Sequence, residues 1–78
     1  AEEDVWMYPN PASDVVELIV HRSGAHTVQL MNTTGQVIRS FQTADMVVRF
    51  DVSDLASGLY FVEVSQGNAS RTLRLAVR

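Results

Sequence analysis

The sequence predicts an all-β domain, an antiparallel β-sandwich of about seven short strands. Three observations carry that prediction. Apolar residues recur with period two in short runs, turn-forming clusters separate the runs at roughly ten-residue spacing, and no stretch shows the periodicity of a long helix. The chain has 78 residues, enough for one small domain with a thin core. It contains no cysteine, so neither a disulfide nor a thiolate metal site supplements that core.

The elements follow in order. Residues 5–8 form the first strand, after an acidic leader of Glu2, Glu3 and Asp4 that reads as a solvated run. Tyr8-Pro9-Asn10-Pro11 then imposes a corner. Each proline fixes φ near −65°, removes a backbone donor and pushes Tyr8 or Asn10 toward extended geometry, so the chain turns here without a hydrogen-bond ladder. A second strand begins near Asp14, with Val16, Leu18 and Val20 on one face and Val15, Glu17 and Ile19 on the other. Ser23-Gly24 offers a turn. The run 26–31 places Val28 and Leu30 on one face and Thr27 and Gln29 on the other.

Asn32-Thr33-Thr34-Gly35 is a hairpin signature: Asn suits the first position of a type I turn, and Gly accepts the left-handed residue that closes it with a bulge. The return strand is expected over 36–41, and its pattern does not decide which face is inward, because both carry large apolar groups. After Thr43-Ala44-Asp45 the run 46–52 sends Val48, Phe50 and Val52 inward and Val47, Arg49 and Asp51 outward. Residues 53–58 read as a crossover with one helical turn capped by Ser53. The run 59–65 places Tyr60, Val62 and Val64 on one face, Gln66-Gly67-Asn68 supplies a tight turn, and 70–77 alternates Leu73, Leu75 and Val77 against Thr72, Arg74 and Ala76. Leu55, Gly58 and Tyr60 have the spacing of a tyrosine corner, in which the phenol bonds to backbone a few residues upstream. The last strand is expected at a sheet edge, where arginines discourage uncontrolled pairing. Most of the dispersed aromatics, Trp6, Tyr8, Phe41, Phe50, Tyr60 and Phe61, are assigned to the core.

Charge and composition exclude several functions. Six basic residues against nine acidic ones give a net charge of −3, the wrong sign for a general nucleic-acid binder. No apolar run approaches the ~18 residues of a membrane-spanning helix. The first residues do not resemble a secretory leader, and a start without methionine suits a segment cut from a longer precursor. His21 and His26 flank the Ser23-Gly24 turn, but two imidazoles without a third ligand make a poor metal site, and both are expected at the surface on strand ends. Asp51 and Asp54 read as turn and cap acids. Asn32 and Asn68 open glycosylation-type triplets that turn chemistry explains equally well. No nucleophile, base or phosphate loop is present, so neither an enzyme nor a cofactor is expected.

Four pieces in order resemble one family: Tyr8-Pro9-Asn10-Pro11; the run from Asn32 through Gly35 to Val37; the run from Val52 through Leu55, Gly58 and Tyr60 to Val62; and the ending with Arg71, Leu73, Arg74, Leu75, Val77 and Arg78. Together they resemble the C-terminal sorting domain of the type IX secretion system of Bacteroidetes. The resemblance covers the chain from about Val5 to Arg78. It implies an immunoglobulin-like sandwich that follows an N-terminal cargo domain in a precursor, with residues 1–4 as a linker remnant and residues 5–78 as the sorting domain. It also implies passage of the cargo through the inner membrane by an ordinary leader, then recognition in the periplasm by type IX translocon and shuttle components. Transport to the outer membrane and cell surface or medium follows, with removal by a sortase-like peptidase and attachment of cargo to an anionic lipopolysaccharide.

The family often has lysine where this tail has arginine, and a basic residue where Gln36 follows the turn glycine. Arginine keeps the charge and adds a fork of donors, whereas Gln36 weakens any requirement for a cation there. The division of labour expected from the residues gives Gly35, Leu55, Gly58 and Tyr60 to architecture. The last strand, with Arg71, Arg74 and Arg78, becomes an edge that a partner extends by strand addition, and a chain lacking residues 76–78 is expected to fold but not to be exported. The competing reading is an extracellular immunoglobulin-like accessory module that binds a sugar or protein without a sorting role. Pairing of edge strands between two copies is left open.

Overall fold

A computed structural model describes residues 5–78, so the expected acidic linker of residues 1–4 lies outside the described residues. The strands are β1 (Val5–Tyr8), β2 (Val15–Val20), β3 (His26–Met31), β4 (Val37–Thr43), β5 (Val47–Asp51), β6 (Gly58–Gln66) and β7 (Ala69–Val77). They form two antiparallel sheets, one in the order β1-β2-β5 and one in the order β4-β3-β6-β7. The fold is the expected immunoglobulin-like sandwich.

The period-two pattern produces this arrangement because it gives each strand one face that only a second sheet can cover. Val16, Leu18 and Val20 of β2 meet Val28 and Leu30 of β3, Val62 and Val64 of β6, and Leu75 of β7, and none of these is more than 2% exposed. Fully burying each such side chain contributes on the order of 1.5–3 kcal/mol before chain entropy is set against it. Val48 and Val52 complete the layer as their alternation requires, with Phe50 packed half-buried against it.

Four expectations are corrected. His26 is 1% exposed rather than at the surface, because it shares the inward parity of Val28 and Leu30. Its Nδ1 donates to Gly24 O at 3.2 Å, and its Nε2 is buried without a hydrogen-bond partner among the described residues. The aromatics are mostly outside the core: Tyr60 is buried, Phe41 and Phe50 pack half-buried against the aliphatic centre, Phe61 is half-buried, and Trp6 and Tyr8 are 43% and 49% exposed. In a sandwich this narrow, β-branched and leucine side chains fill the space between the layers. Finally, residues 53–57 form turns and bends without a helix. The Asp51 carboxylate, rather than Ser53, caps that turn by accepting from Ser53 N–H at 2.7 Å, and Leu55 N–H donates to Val52 O at 3.1 Å. The fourth correction concerns residues 76–78 and follows from the site described below.

The β3–β4 hairpin forms as its residues dictate. Gly35 N–H donates to Asn32 O, Gly35 adopts φ +88°, and the register shifts at Leu30/Met31. The Asn32 carboxamide oxygen accepts from Thr34 N–H, the Thr34 hydroxyl and Gln36 N–H, and its amide donates to Gln36 Oε1 at 3.1 Å. Gln36, which departs from the family's usual basic residue, therefore helps to close this turn. β4 is an edge strand whose Val37 and Ile38 stay exposed while Arg39 and Phe41 turn partly inward. On this side Arg39 ties the two sheets together by donating to Asp51 O and to both Asp54 carboxylate oxygens, at 2.6 and 2.7 Å to the latter. Phe41 meets Phe50 edge to face at 6.3 Å between ring centroids. The opposite side, between β1 and β7, is closed by the Pro-Asn-Pro corner.

Candidate functional site

β7 is an edge strand, so one row of its main-chain groups has no partner in β6. The corner occupies the C-terminal half of that row. Asn10 donates its side-chain amide to Arg74 O at 2.7 Å and accepts from Ala76 N–H at 3.0 Å, so one carboxamide stands where the peptide group of a neighbouring strand would be. Two residues on, Ala12 N–H donates to Ala76 O and Ala12 O accepts from Arg78 N–H, both at 2.9 Å, which makes a short parallel bridge between Ala12 and Val77. These bonds span 64 and 66 residues of sequence at the Asn10 side chain. Ala12 is 1% exposed and packs into the core where the segment meets β7.

Pro9 and Pro11 fit this role because neither has an N–H. The segment that covers β7 thus presents few donors of its own to a further strand. The Tyr8-Pro9 and Asn10-Pro11 peptide bonds are both cis.

Tyr8 holds the other end of the corner to the three-stranded sheet. Tyr8 pairs with Glu17, and Glu17 pairs with Arg49, so the three side chains form a row across β1, β2 and β5. Arg49 Nη2 and Nε donate to Glu17 Oε2 at 2.5 and 3.1 Å. The Arg49 hydrogen bond is the main cause holding the Glu17 carboxyl below its ordinary range, with the Tyr8 hydroxyl adding to it. The bond to Glu17 in turn raises the Tyr8 phenol above its ordinary value. The corner is therefore fastened to one sheet through Tyr8 and to the other through Asn10.

Most of the other motif residues gather at the same end of the sandwich, whereas Arg71 pairs with Val64 toward the β6–β7 turn. Gly58 opens β6 opposite Val77, and Tyr60 pairs with Leu75. The Tyr60 hydroxyl donates to Ala56 O at 2.7 Å, four residues upstream, which is the expected tyrosine corner, and Leu55 packs half-buried against the core. Leu75 and Val77 are core residues, and Leu73 packs partly buried against them. Gly35 lies at this end too, but across the sheet from β7, in the hairpin that leads to the far edge strand β4.

The three arginines of the tail do not form one group. Arg71 shares the inward parity of Leu73 and is half-buried, whereas Arg74 and Arg78 are exposed on the other face. Arg74 and Arg78 make no ion pair among the described residues. The truncation expectation is also corrected here. Residues 76–78 include Val77, which is 5% exposed, and carry three of the hydrogen bonds to the corner, so removing them damages the fold as well as the edge. His21 and His26 do not face each other: the exposed His21 ring stands edge-on to Trp6 at 4.8 Å, while His26 is inside.

Comparison with known proteins agrees with this geometry. No curated protein matches the chain. A solved structure of PorZ, an essential bacterial surface component of the type-IX secretion system of Porphyromonas gingivalis, superposes with a TM-score of 0.82 at 27% identity. The match covers 95% of this chain and 11% of PorZ. Residues 6–78 match the model of the secretion system C-terminal sorting domain, from the strand that enters the corner to the arginine that closes on it. The chain belongs to that family, and it is a C-terminal sorting signal for type IX secretion.

Proposed function

We propose that the sorting signal is read as a folded surface at the β7 edge, made jointly by Tyr8, Pro9, Asn10 and Pro11 of the corner and by the outward face of the last strand. Membership of the family gives the domain its task, delivery of a cargo toward the outer membrane, the cell surface or the medium with the help of the secretion machinery. The finer steps belong to this proposal. Residues 1–4 link the cargo to a sorting domain over 5–78. Shuttle and translocon components engage the domain in the periplasm, and a sortase-like peptidase removes it when the cargo is attached to surface lipopolysaccharide.

The observation that supports this reading is the Asn10 clamp. It gathers Pro9, Asn10, Pro11, Arg74, Leu75, Val77 and Arg78, scattered over the sequence, onto one edge. Gly35, Leu55, Gly58, Tyr60 and Leu73 serve the architecture beneath it, and Arg71 belongs to the inner layer. The test is a fluorescent protein carrying residues 1–78 at its C-terminus, behind an inner-membrane leader, in a host with the type IX system. Fluorescence at the surface or in the medium is the expected outcome. A folded fusion that stays in the periplasm refutes the reading.

A further inference from the structure

The corner covers only the C-terminal half of the β7 edge. Arg74 O, Ala76 N–H, Ala76 O and Arg78 N–H all point away from β6, so the even-numbered residues of β7 turn their main-chain groups outward. Ser70 and Thr72 continue that row toward the β6–β7 turn, over about 14 Å from Ser70 to Arg74 at the usual strand rise. Their side chains, with those of Arg74 and Arg78, are exposed on one face of the strand. Small hydroxyl side chains give a neighbouring backbone room to approach. Two arginines without an ion pair among the described residues stand beside them, on a chain whose net charge is −3. Glu63 of β6 lies opposite Thr72 on the same face, one strand in from the edge, and is the acidic neighbour that Arg74 must outweigh there.

We propose that the half of β7 that no strand pairs on its outer side among the described residues, Ser70 to Arg74, is a docking edge for an extended acidic segment of a partner protein. The segment adds as a fifth strand and ends where the Asn10 plug begins. Main-chain bonds to Ser70 and Thr72 hold it, and carboxylates directed at Arg74 select it over neutral or basic strands. The plug fixes the register, because a strand sliding toward Arg78 meets Asn10 and two prolines instead of free peptide groups. This inference rests on the sorting reading and deepens it by naming the partner's chemistry.

The test follows the backbone amides of residues 1–78 by NMR during titration with an end-blocked peptide of alternating Glu and Thr, and with its Lys and Thr counterpart. The expected result is saturable shifts centred on Ser70, Thr72 and Arg74 with the acidic peptide and none with the basic one. Arg74→Glu is expected to weaken binding on the order of tenfold at low salt. Thr72→Pro, which removes an outward N–H without changing charge, is expected to abolish it. Equal shifts with both peptides, shifts centred on β1, or unchanged binding by a folded Thr72→Pro variant overturn the proposal. Export of the reporter separates the two readings. If Arg74→Glu loses the peptide but exports normally, the docking edge is wrong and the sorting function stands; if the parent domain binds the peptide but does not export, the reverse holds.

Discussion

Replacing Asn10 by alanine removes the plug without touching either proline or any core residue. The substitution deletes the donor to Arg74 O and the acceptor for Ala76 N–H and leaves the groups of the two Ala12 main-chain bonds in place. A hydrogen bond contributes about 0.5–1.5 kcal/mol net. Asn10 is exposed, so water replaces part of what is lost, and the lower half of the range applies to each bond, or about 1–2 kcal/mol for the pair. For a domain this small, with a urea m-value near 1 kcal/mol/M, the unfolding midpoint should fall by about 1–2 M with no change of slope. Hydrogen exchange locates the effect. Ala76 N–H should lose protection most, Arg78 N–H should follow as the Ala12 bridge frays, and Leu73 and Leu75, paired with β6, should keep protection close to that of global unfolding. A midpoint shift below about 0.3 M, or undiminished protection at Ala76, would refute the claim that one carboxamide stands in for a strand at this edge.

Two further predictions bear on the architecture and on the row that anchors Tyr8. Tyr60→Phe removes the bond to Ala56 O and should cost about 1 kcal/mol, read as a fall of roughly 4–8 °C in thermal midpoint; an unchanged midpoint would show that the phenol is dispensable to the turn. Glu17 has a folded pKa below its ordinary 4.5, so its contribution is fully present above that value and is lost as pH falls through the lower folded one. Glu17→Gln should therefore be less stable than the parent at neutral pH and converge with it in acid, and parallel urea midpoints across that range would exclude the Arg49 and Tyr8 interactions as the cause.

The strands were legible because the buried face of each is written with period two, and a slip of one residue would expose every side chain on it. Val16, Leu18 and Val20 could not be placed otherwise, and the Asn32 to Gly35 turn announced its own geometry. His26 was legible too, by parity with Val28 and Leu30, although its polarity and its position at a strand start suggested solvent. β4 was not decidable in principle. It lies at an edge, it carries apolar groups on both faces, and what turns Arg39 inward is its bonding with Asp51 at the end of β5 and Asp54 in the turn that follows. The Ser53 cap failed because Leu55 N–H, which a capping Ser53 hydroxyl would take, donates to Val52 O instead, while the Asp51 carboxylate accepts from Ser53 N–H. The motif residues of the site could be picked out, but their assembly could not. Nothing in Pro-Asn-Pro points to a strand 64 residues away, since the partner groups are main-chain atoms that every residue possesses.

A sandwich this small has four sheet edges, and their treatment bears on what the domain can offer a partner. The far side is tied at the end of β5 by Arg39 and by the Phe41–Phe50 contact. The near side is closed at β7 by a segment whose prolines cannot extend a ladder. What this leaves on β7 is a short row bounded by a turn at one end and a plug at the other. A row of that length is too brief to nucleate indefinite edge-to-edge stacking, yet it suffices to align one extended chain in a defined register. Under the docking-edge proposal both properties matter, because an unbounded edge favours uncontrolled pairing and a fully capped one offers no main-chain handle. The corner thus does more than connect β1 to β2: among the described residues it occupies the C-terminal half of the outward row of the last strand and so sets how much of that row is left for a further strand.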